Sequence, residues 1–202
     1  MTFIVLEGGE GSGKSTQAER LVSRLRAQGH EVVATYEPGD TKFGAQLRDA
    51  LLHGDAPLDA RTELLLMLAD RAQHVVEVIR PALERGAIVV SDRFSPSTLA
   101  YQGAGRELGV DEVERLCEYA QAGVAPDLVI VLDVPDDVAE ARIPGHRDRV
   151  ERAGREFHAR VRVAYRDLAP QRGWVVVDGT GTPDEVERRV QVAVGAVVPV
   201  IP

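Results

Sequence analysis

One run restricts the fold of this chain more than any other: "GGEGSGKST", residues 8–16, set between the apolar stretch "FIVLE" and an amphipathic segment. Gly8 to Ser15 match G-x-x-x-x-G-K-[ST], a loop that belongs between the end of a buried strand and the start of a helix. Its glycines let the backbone N–H groups of Gly8, Gly9, Glu10, Gly11, Ser12 and Gly13 turn inward around phosphate oxygens, and the helix start adds partial positive charge. Lys14 offers a compact mobile cation to β- and γ-phosphates, and the Ser15 hydroxyl a magnesium ligand, with Thr16 beside it. The chain has 22 arginines and only two lysines, Lys14 and Lys42, so a lysine in this loop is a chemical choice. The run implies a nucleoside triphosphate site. Glu10, a carboxylate inside a phosphate cradle, calls for a separate reason.

A strand before the loop fits the rest of the chain. An amphipathic helix, a glycine and a short β-branched strand recur as "RLRAQG|HEVVATYE", "ALERG|AIVVSDRF" and "APQRG|WVVVDG". Each glycine suits a left-handed helix end. Each of these three runs is too apolar for an exposed edge, and with "TFIVLEG" and "DLVIVLDV" the strands number five, which predicts an α/β, three-layer fold: a five-stranded parallel sheet with helices on both faces. Apolar spacing places Ala18, Leu21, Val22 and Leu25 on one helix face, Leu65, Leu68, Ala72, Val75 and Ile79 on another from about residue 59, and Phe157, Val161, Ala164 and Leu168 on a third. "TPDE" at 182–185 opens a last helix with a capping pattern, and Pro81 is expected to kink or break the helix it sits in.

At 202 residues the chain is expected to form one domain. Its net charge of -8 argues against nucleic acid or an anionic membrane as partner. Cys117 is the only cysteine, which rules out an intrachain disulfide or a cysteine-rich zinc site, and its spacing with Val113, Leu116 and Ala120 reads as core. "MTFIVLEGGEG" lacks a basic start, no run is long enough to cross a bilayer, and a cytoplasmic protein is expected.

A phosphate loop alone leaves the reaction open. A GTPase needs a guanine-reading N-K-x-D, which the lysines in "GKST" and "TKFG" cannot supply, and a motor ATPase needs more chain; a small-molecule kinase fits best. In "AIVVSDRFSPSTLAYQG" Asp92 and Arg93 stand at the carboxyl end of a buried strand, where open α/β sheets present ligands. An aspartate there can hold magnesium through water, and an arginine can grip a second phosphate with two N–H groups. "RIPGHRDRVER", 142–152, fits neither period and carries Arg142, Arg147, Arg149 and Arg152. Such a loop can close over a nucleotide, deliver an arginine and exclude water.

The segments "LEGGEGSGKST", "EPGDT", "LADRAQH", "SDRFSPSTLAYQG", "PDLVIVLDVP", "RDRVER" and "FHARVRVAYRDLA" resemble bacterial thymidylate kinases, P-loop nucleoside monophosphate kinases, in order and spacing to about residue 178. The resemblance implies one P-loop kinase domain over 1–202 with a lid at about 142–152, Mg2+-dependent transfer of the ATP γ-phosphate to dTMP, and a homodimer. Another nucleoside monophosphate or deoxynucleoside kinase, or a nucleotide-binding regulator without turnover, is the alternative. Arg93, with Arg48, is implied to hold the dTMP phosphate, Arg71 a thymine carbonyl, and Thr98, Tyr101 and Gln102 the base and sugar, the Tyr101 ring excluding a ribose 2'-hydroxyl. Glu10 is implied to face the acceptor's 3'-hydroxyl. Some members keep an arginine beside this acid; Gly11 stands there here, so transition-state charge is implied to come from the lid, from Arg149 first and Arg147 second, with Arg142 on the ATP side. Tyr36 and Asp40 of "YEPGDT" replace residues of the commoner "REPGGT", Met67 stands where phenylalanine stacks on thymine, and Pro144 where another arginine is often seen.

Overall fold

The computed structural model describes residues 2–54, 57–143, 148–150 and 152–198. Strands form on the five apolar runs: β1 (Thr2–Glu7), β2 (Val32–Tyr36), β3 (Ile88–Asp92), β4 (Leu128–Asp133) and β5 (Val175–Asp178). They pair in parallel in the order β2-β3-β1-β4-β5. Phe3, Ile4, Val5 and Leu6 of the central β1 are wholly buried, because both faces of the sheet are covered. On one face Ile4, Leu6, Val90 and Ile130 pack against Leu21, Val22 and Leu25 of α1 (Lys14–Ala27) and Val186 and Val190 of α9 (Pro183–Val194). On the other, Phe3, Val5, Val89 and Val131 meet α2 (Lys42–Leu52), α3 (Ala60–His74), α6 (Val110–Gln121) and α8 (Arg155–Arg172).

The chain therefore leaves β1 toward one face and β3 toward the other, although these strands are neighbours. The crevice this opens at their carboxyl ends is where such sheets take ligands. Register puts Leu6 and Tyr36 opposite Asp92, so Glu7, Tyr36 and Asp92 end at one edge.

Local signals explain most element ends. Gly29, Gly86 and Gly173 all adopt positive φ after their helices, and Thr182 and Glu185 form the reciprocal cap of α9. Pro81 neither breaks nor ends its helix. A π-helical segment, Val75–Ile79, joins α3 to α4 (Arg80–Glu84), and the wider turn accommodates a ring that lacks an N–H. A second π-helical segment, Leu99–Gly105, follows α5 (Ser95–Thr98). The expected face of α3 is corrected in part: Leu68, Val75 and Ile79 are buried, whereas Leu65 is 60% exposed and Ala72 is exposed. The inward positions next to them are taken by Glu63, Asp70, Arg71 and His74.

Candidate active site

The loop between β1 and α1 has the conformation its glycines allow. Gly8, Gly11 and Gly13 have φ of 137°, 70° and 92°. A Cβ on Gly8 would lie 2.4 Å from the Leu132 carbonyl oxygen, and one on Gly11 the same distance from that of Ala139, so neither position admits a side chain. No side chain caps α1, which leaves its first amides for an anion. Lys14 donates to the Gly9 carbonyl at 2.9 Å, and burial pulls its pKa down, helped by the Arg93 charge. The Ser15 hydroxyl donates to Asp92 Oδ2 at 2.5 Å, and Asp92 Oδ1 is buried without a partner. A hydroxyl beside a carboxylate oxygen left over for a cation is a donor set that fits Mg2+.

Opposite the loop stands Arg93, in a left-handed conformation with φ 74°. Its side chain turns into the crevice and donates to Ser97 Oγ at 3.0 Å, to the Gly8 carbonyl, to the Tyr101 hydroxyl and to Glu10. Glu10 also accepts the Tyr101 hydroxyl at 3.1 Å, so its carboxylate points away from the amides of its own loop. Burial pushes the Glu10 carboxyl up, but the Arg93 and Lys14 charges and the Tyr101 hydroxyl outweigh it and bring it to about 2. Beneath Arg93 lies Glu7, which the sequence reading did not single out. Glu7 accepts the N–H groups of Phe94 and Ser97 and the hydroxyls of Ser97 and Tyr165, fastening the turn that carries Arg93 to the end of β1.

The crevice continues as a cleft of about 790 Å3, lined by Glu10, Lys14, Ser15, Arg48, Met67, Arg71, Asp92, Arg93, Thr98, Tyr101 and Gln102 among others. The residues named for the acceptor thus come together. Arg71 is held by the loop after β2: its Nε and Nη2 donate to Glu37 Oε2 at 2.9 and 2.7 Å, and its guanidinium lies over the Phe94 ring. Arg48 donates to the Pro38 carbonyl and lies over Tyr36. Gln102 also turns to Glu63, at 2.8 Å. Asp40 accepts the Thr35 hydroxyl at 2.5 Å, which fastens the one anion of this loop that replaces glycine. Glu37, Thr35, Asp70 and His74 belong to the site without a sequence signal of their own; within "LADRAQH" only Arg71 is singled out by the resemblance.

The basic segment divides. Arg142, at the end of α7 (Asp136–Arg142), donates to the carbonyls of Gly11, Gly179 and Gly181, between the phosphate loop and the turn after β5. Arg149 is not brought to the phosphate loop here: its main-chain N–H bonds the carbonyl of Leu52, the last residue of α2, and its Nη2 that of Gly54 just past it, while Nη1 is buried without a partner. The Arg152 N–H closes a turn on Asp148. Pro144 and Arg147 lie outside the described residues.

Comparison with known proteins supplies the context. A family model described as thymidylate kinase matches residues 6–190. The thymidylate kinase of Leifsonia xyli subsp. xyli is 48% identical over 194 residues, 94% of this chain and 92% of that protein. That of Halothermothrix orenii is 46% identical over 193 residues, 93% of each. The crystal structure of thymidylate kinase from Ehrlichia chaffeensis superposes with a TM-score of 0.81 at 31% identity, covering 96% of this chain and 98% of that one.

Proposed function

The chain belongs to the thymidylate kinase family of nucleoside monophosphate kinases, and from that premise we propose how its own residues carry the γ-phosphoryl group of ATP to dTMP, giving dTDP. The observation that carries the reading is Arg93: a half-buried guanidinium just past the end of β3, facing Lys14 and the amide cradle across one crevice. The loop amides and Lys14 hold the donor's phosphates. Arg93, with Arg48, holds the acceptor phosphate in line, Arg71 and Thr98 meet the base above Met67, and the Tyr101 ring closes on the sugar. Glu10, ionised, accepts the acceptor's 3'-hydroxyl. Transfer between phosphates needs positioning and charge rather than a general base. Ser15 and Asp92 are the groups that would hold Mg2+, which would supply positive charge to offset that of the phosphates.

Arg142 serves the ATP side, between the phosphate loop and Gly179 and Gly181. Arg149 and Arg147 are the transition-state candidates of the lid, which for Arg149 means leaving the Gly54 carbonyl once ATP is in place. The whole chain is read as one kinase domain. Leu65, Ala69, Ala72 and Val76 form an exposed apolar stripe on the α3 side, and its period of three to four residues supports a homodimer through that face. Among the described residues no helix is long and apolar enough to cross a membrane; this and the free, buried thiol of Cys117 support a cytoplasmic setting.

ADP release measured across dTMP, dUMP, dGMP, AMP and thymidine tests the assignment. Turnover with dTMP well ahead of the others is expected, and phosphorylation of thymidine but not of dTMP would overturn it. A regulator without turnover is not favoured, because Lys14, Ser15, Asp92 and Arg93 all stand in place.

A further inference from the structure

Behind the acceptor cleft, four side chains join in one line. Asp40 Oδ2 accepts the Thr35 hydroxyl at 2.5 Å. Thr35 Oγ1 lies 2.5 Å from His74 Nε2, and His74 Nδ1 lies 2.9 Å from Glu37 Oε1. Glu37 gives its other oxygen to Nε and Nη2 of Arg71. His74 is wholly buried, so no solvent enters this line at the ring.

The hydrogens in this line can be counted. Three contacts, Asp40–Thr35, Thr35–His74 and His74–Glu37, need three hydrogens. A neutral imidazole and a hydroxyl provide two. With ionised carboxylates at both ends, one contact would set two lone pairs face to face at hydrogen-bond distance, which is repulsive. A third hydrogen therefore belongs to the line, and there are three places for it. Glu37 is unsuited, because its second oxygen takes two N–H groups of a guanidinium, the pairing of a carboxylate. Asp40 is half-buried and lines the open cleft, where water keeps a carboxylate charged. The ring remains.

We propose that Asp40, through Thr35, keeps His74 doubly protonated, and that this buried cation offsets the carboxylates behind the acceptor site so that an anionic acceptor can be held there. Around the ring, Glu37 and Asp40 face it from the loop after β2, and Asp70 and Arg71 from α3. Without the ring proton, Glu37, Asp40 and Asp70 set three carboxyl groups against Arg71 and the Arg48 that packs on the same loop, close to where Arg48 and Arg93 have to settle a phosphate dianion. With it, Asp40 adds no net negative charge to the acceptor end. His74 and Asp40 act through other residues, as positioning groups. The inference rests on the acceptor reading above only for its consequence; the protonation of the ring stands by itself.

Asp40→Asn is the sharpest test. A rotated amide donates to Thr35, Thr35 then donates to Nε2, and a neutral ring satisfies every contact without the additional proton. Long-range nitrogen–proton correlation spectra of histidine-labelled protein at neutral pH read the state directly, with His74 assigned by its loss in His74→Gln. The expected result is an imidazolium pattern in the wild type and the neutral tautomer protonated on Nδ1 in Asp40→Asn. Thr35→Val cuts the same line while leaving Asp40 charged, and it too gives a neutral ring. A neutral His74 in the wild type, or an imidazolium in both variants, overturns the proposal. In turnover at neutral pH, Thr35→Val, which leaves Asp40 charged beside a neutral ring, should raise the KM for dTMP by roughly tenfold, one charge lost at close range in a partly screened site. Asp40→Asn, which removes both charges together, should raise it much less, and the KM for ATP should hold in both. An equal KM for dTMP in the two variants would overturn the proposed consequence. Failure of dTMP to react at all would strike the acceptor reading and leave the spectra to decide the ring.

Discussion

Arg93 joins the two halves of the site, and its neighbours decide how it can act. Its charge, with that of Lys14, outweighs burial and lowers the pKa of Glu10 to about 2, so no acid limb of the rate profile between about pH 4 and 7 should come from Glu10. Arg93 was legible in the sequence because a charged pair after a buried apolar run marks a strand end. Glu7, Glu37 and His74 were not, because their partners are nonlocal: Glu7 meets Tyr165, and His74 meets Thr35 and Glu37. Tyr101 shows what contact adds to motif. Its hydroxyl bonds both Arg93 and Glu10, so the ring is more than bulk. Tyr101→Phe should keep the preference for deoxyribose and lose roughly three- to tenfold in kcat/KM, one hydrogen bond's worth. Tyr101→Ala should also lose the preference, and comparing dTMP with its ribose analogue in both variants checks this. Arg149 stands on Gly54 rather than on the phosphate loop, so its role depends on leaving that carbonyl when nucleotide is bound. Arg149→Ala should lower kcat by roughly two to four powers of ten if it reaches the transferring group; unchanged turnover assigns that charge elsewhere.

At the scale of elements, α3 shows why period-based reading goes partly astray. A helix is read by turning its apolar side inward, but the inward side of α3 carries Glu63, Asp70, Arg71 and His74, which line or support the acceptor cleft. Leu64, Leu68, Val75 and Ile79 share that side. Four other apolar residues, Leu65, Ala69, Ala72 and Val76, are left facing out. Function occupies the face that folding would otherwise fill, and the apolar residues outside then need a different partner. That is the physical basis of the proposed dimer, and it makes a prediction at this scale. Leu65→Asp should shift the protein toward monomer in sedimentation velocity with little change in the far-ultraviolet circular dichroism of the chain. Wild-type protein that is already monomeric at micromolar concentration would remove the argument. By contrast, the buried face of α9 lines none of the cleft and that of α1 gives it only Lys14 and Val22, and these helices pack along the stripe that the sequence gives for α1 and from the cap it gives for α9.

For the whole molecule, the five strands and three layers were legible because parallel strands between helical layers are short apolar runs, yet their order, β2-β3-β1-β4-β5, was not. The expectation that the runs of β2 and β5 are too apolar for an exposed edge is corrected: both are edge strands, and Val175 and Val176 are exposed. Order is set by which helix covers which face, and that is decided by contacts far apart in sequence. The net charge of -8 has a related consequence. With so many carboxylates, some are buried at a cost to global stability, and Asp70 is the clearest. Burial, then the Glu37 charge, push its carboxyl up from 3.8 to about 6, although the Gly39 N–H bonds Oδ1 at 3.1 Å; Oδ2 is buried without a partner. A folded-state pKa above the unfolded one means that the native protein binds more protons between those values, so this group's contribution to stability falls as pH rises from about 4 to 6 and stays low above. Asp70→Asn keeps the oxygen that Gly39 needs and removes the charge. It should therefore raise the unfolding free energy near pH 8 by roughly 1–2 kcal/mol, less than the full shift of about two units because the new amide N–H2 lacks an acceptor. Near pH 4, where Asp70 is protonated in the folded chain, the gain should vanish. Urea unfolding of both proteins at the two pH values measures this, and a gap that is the same at both would show that the carboxylate carries no buried-charge cost.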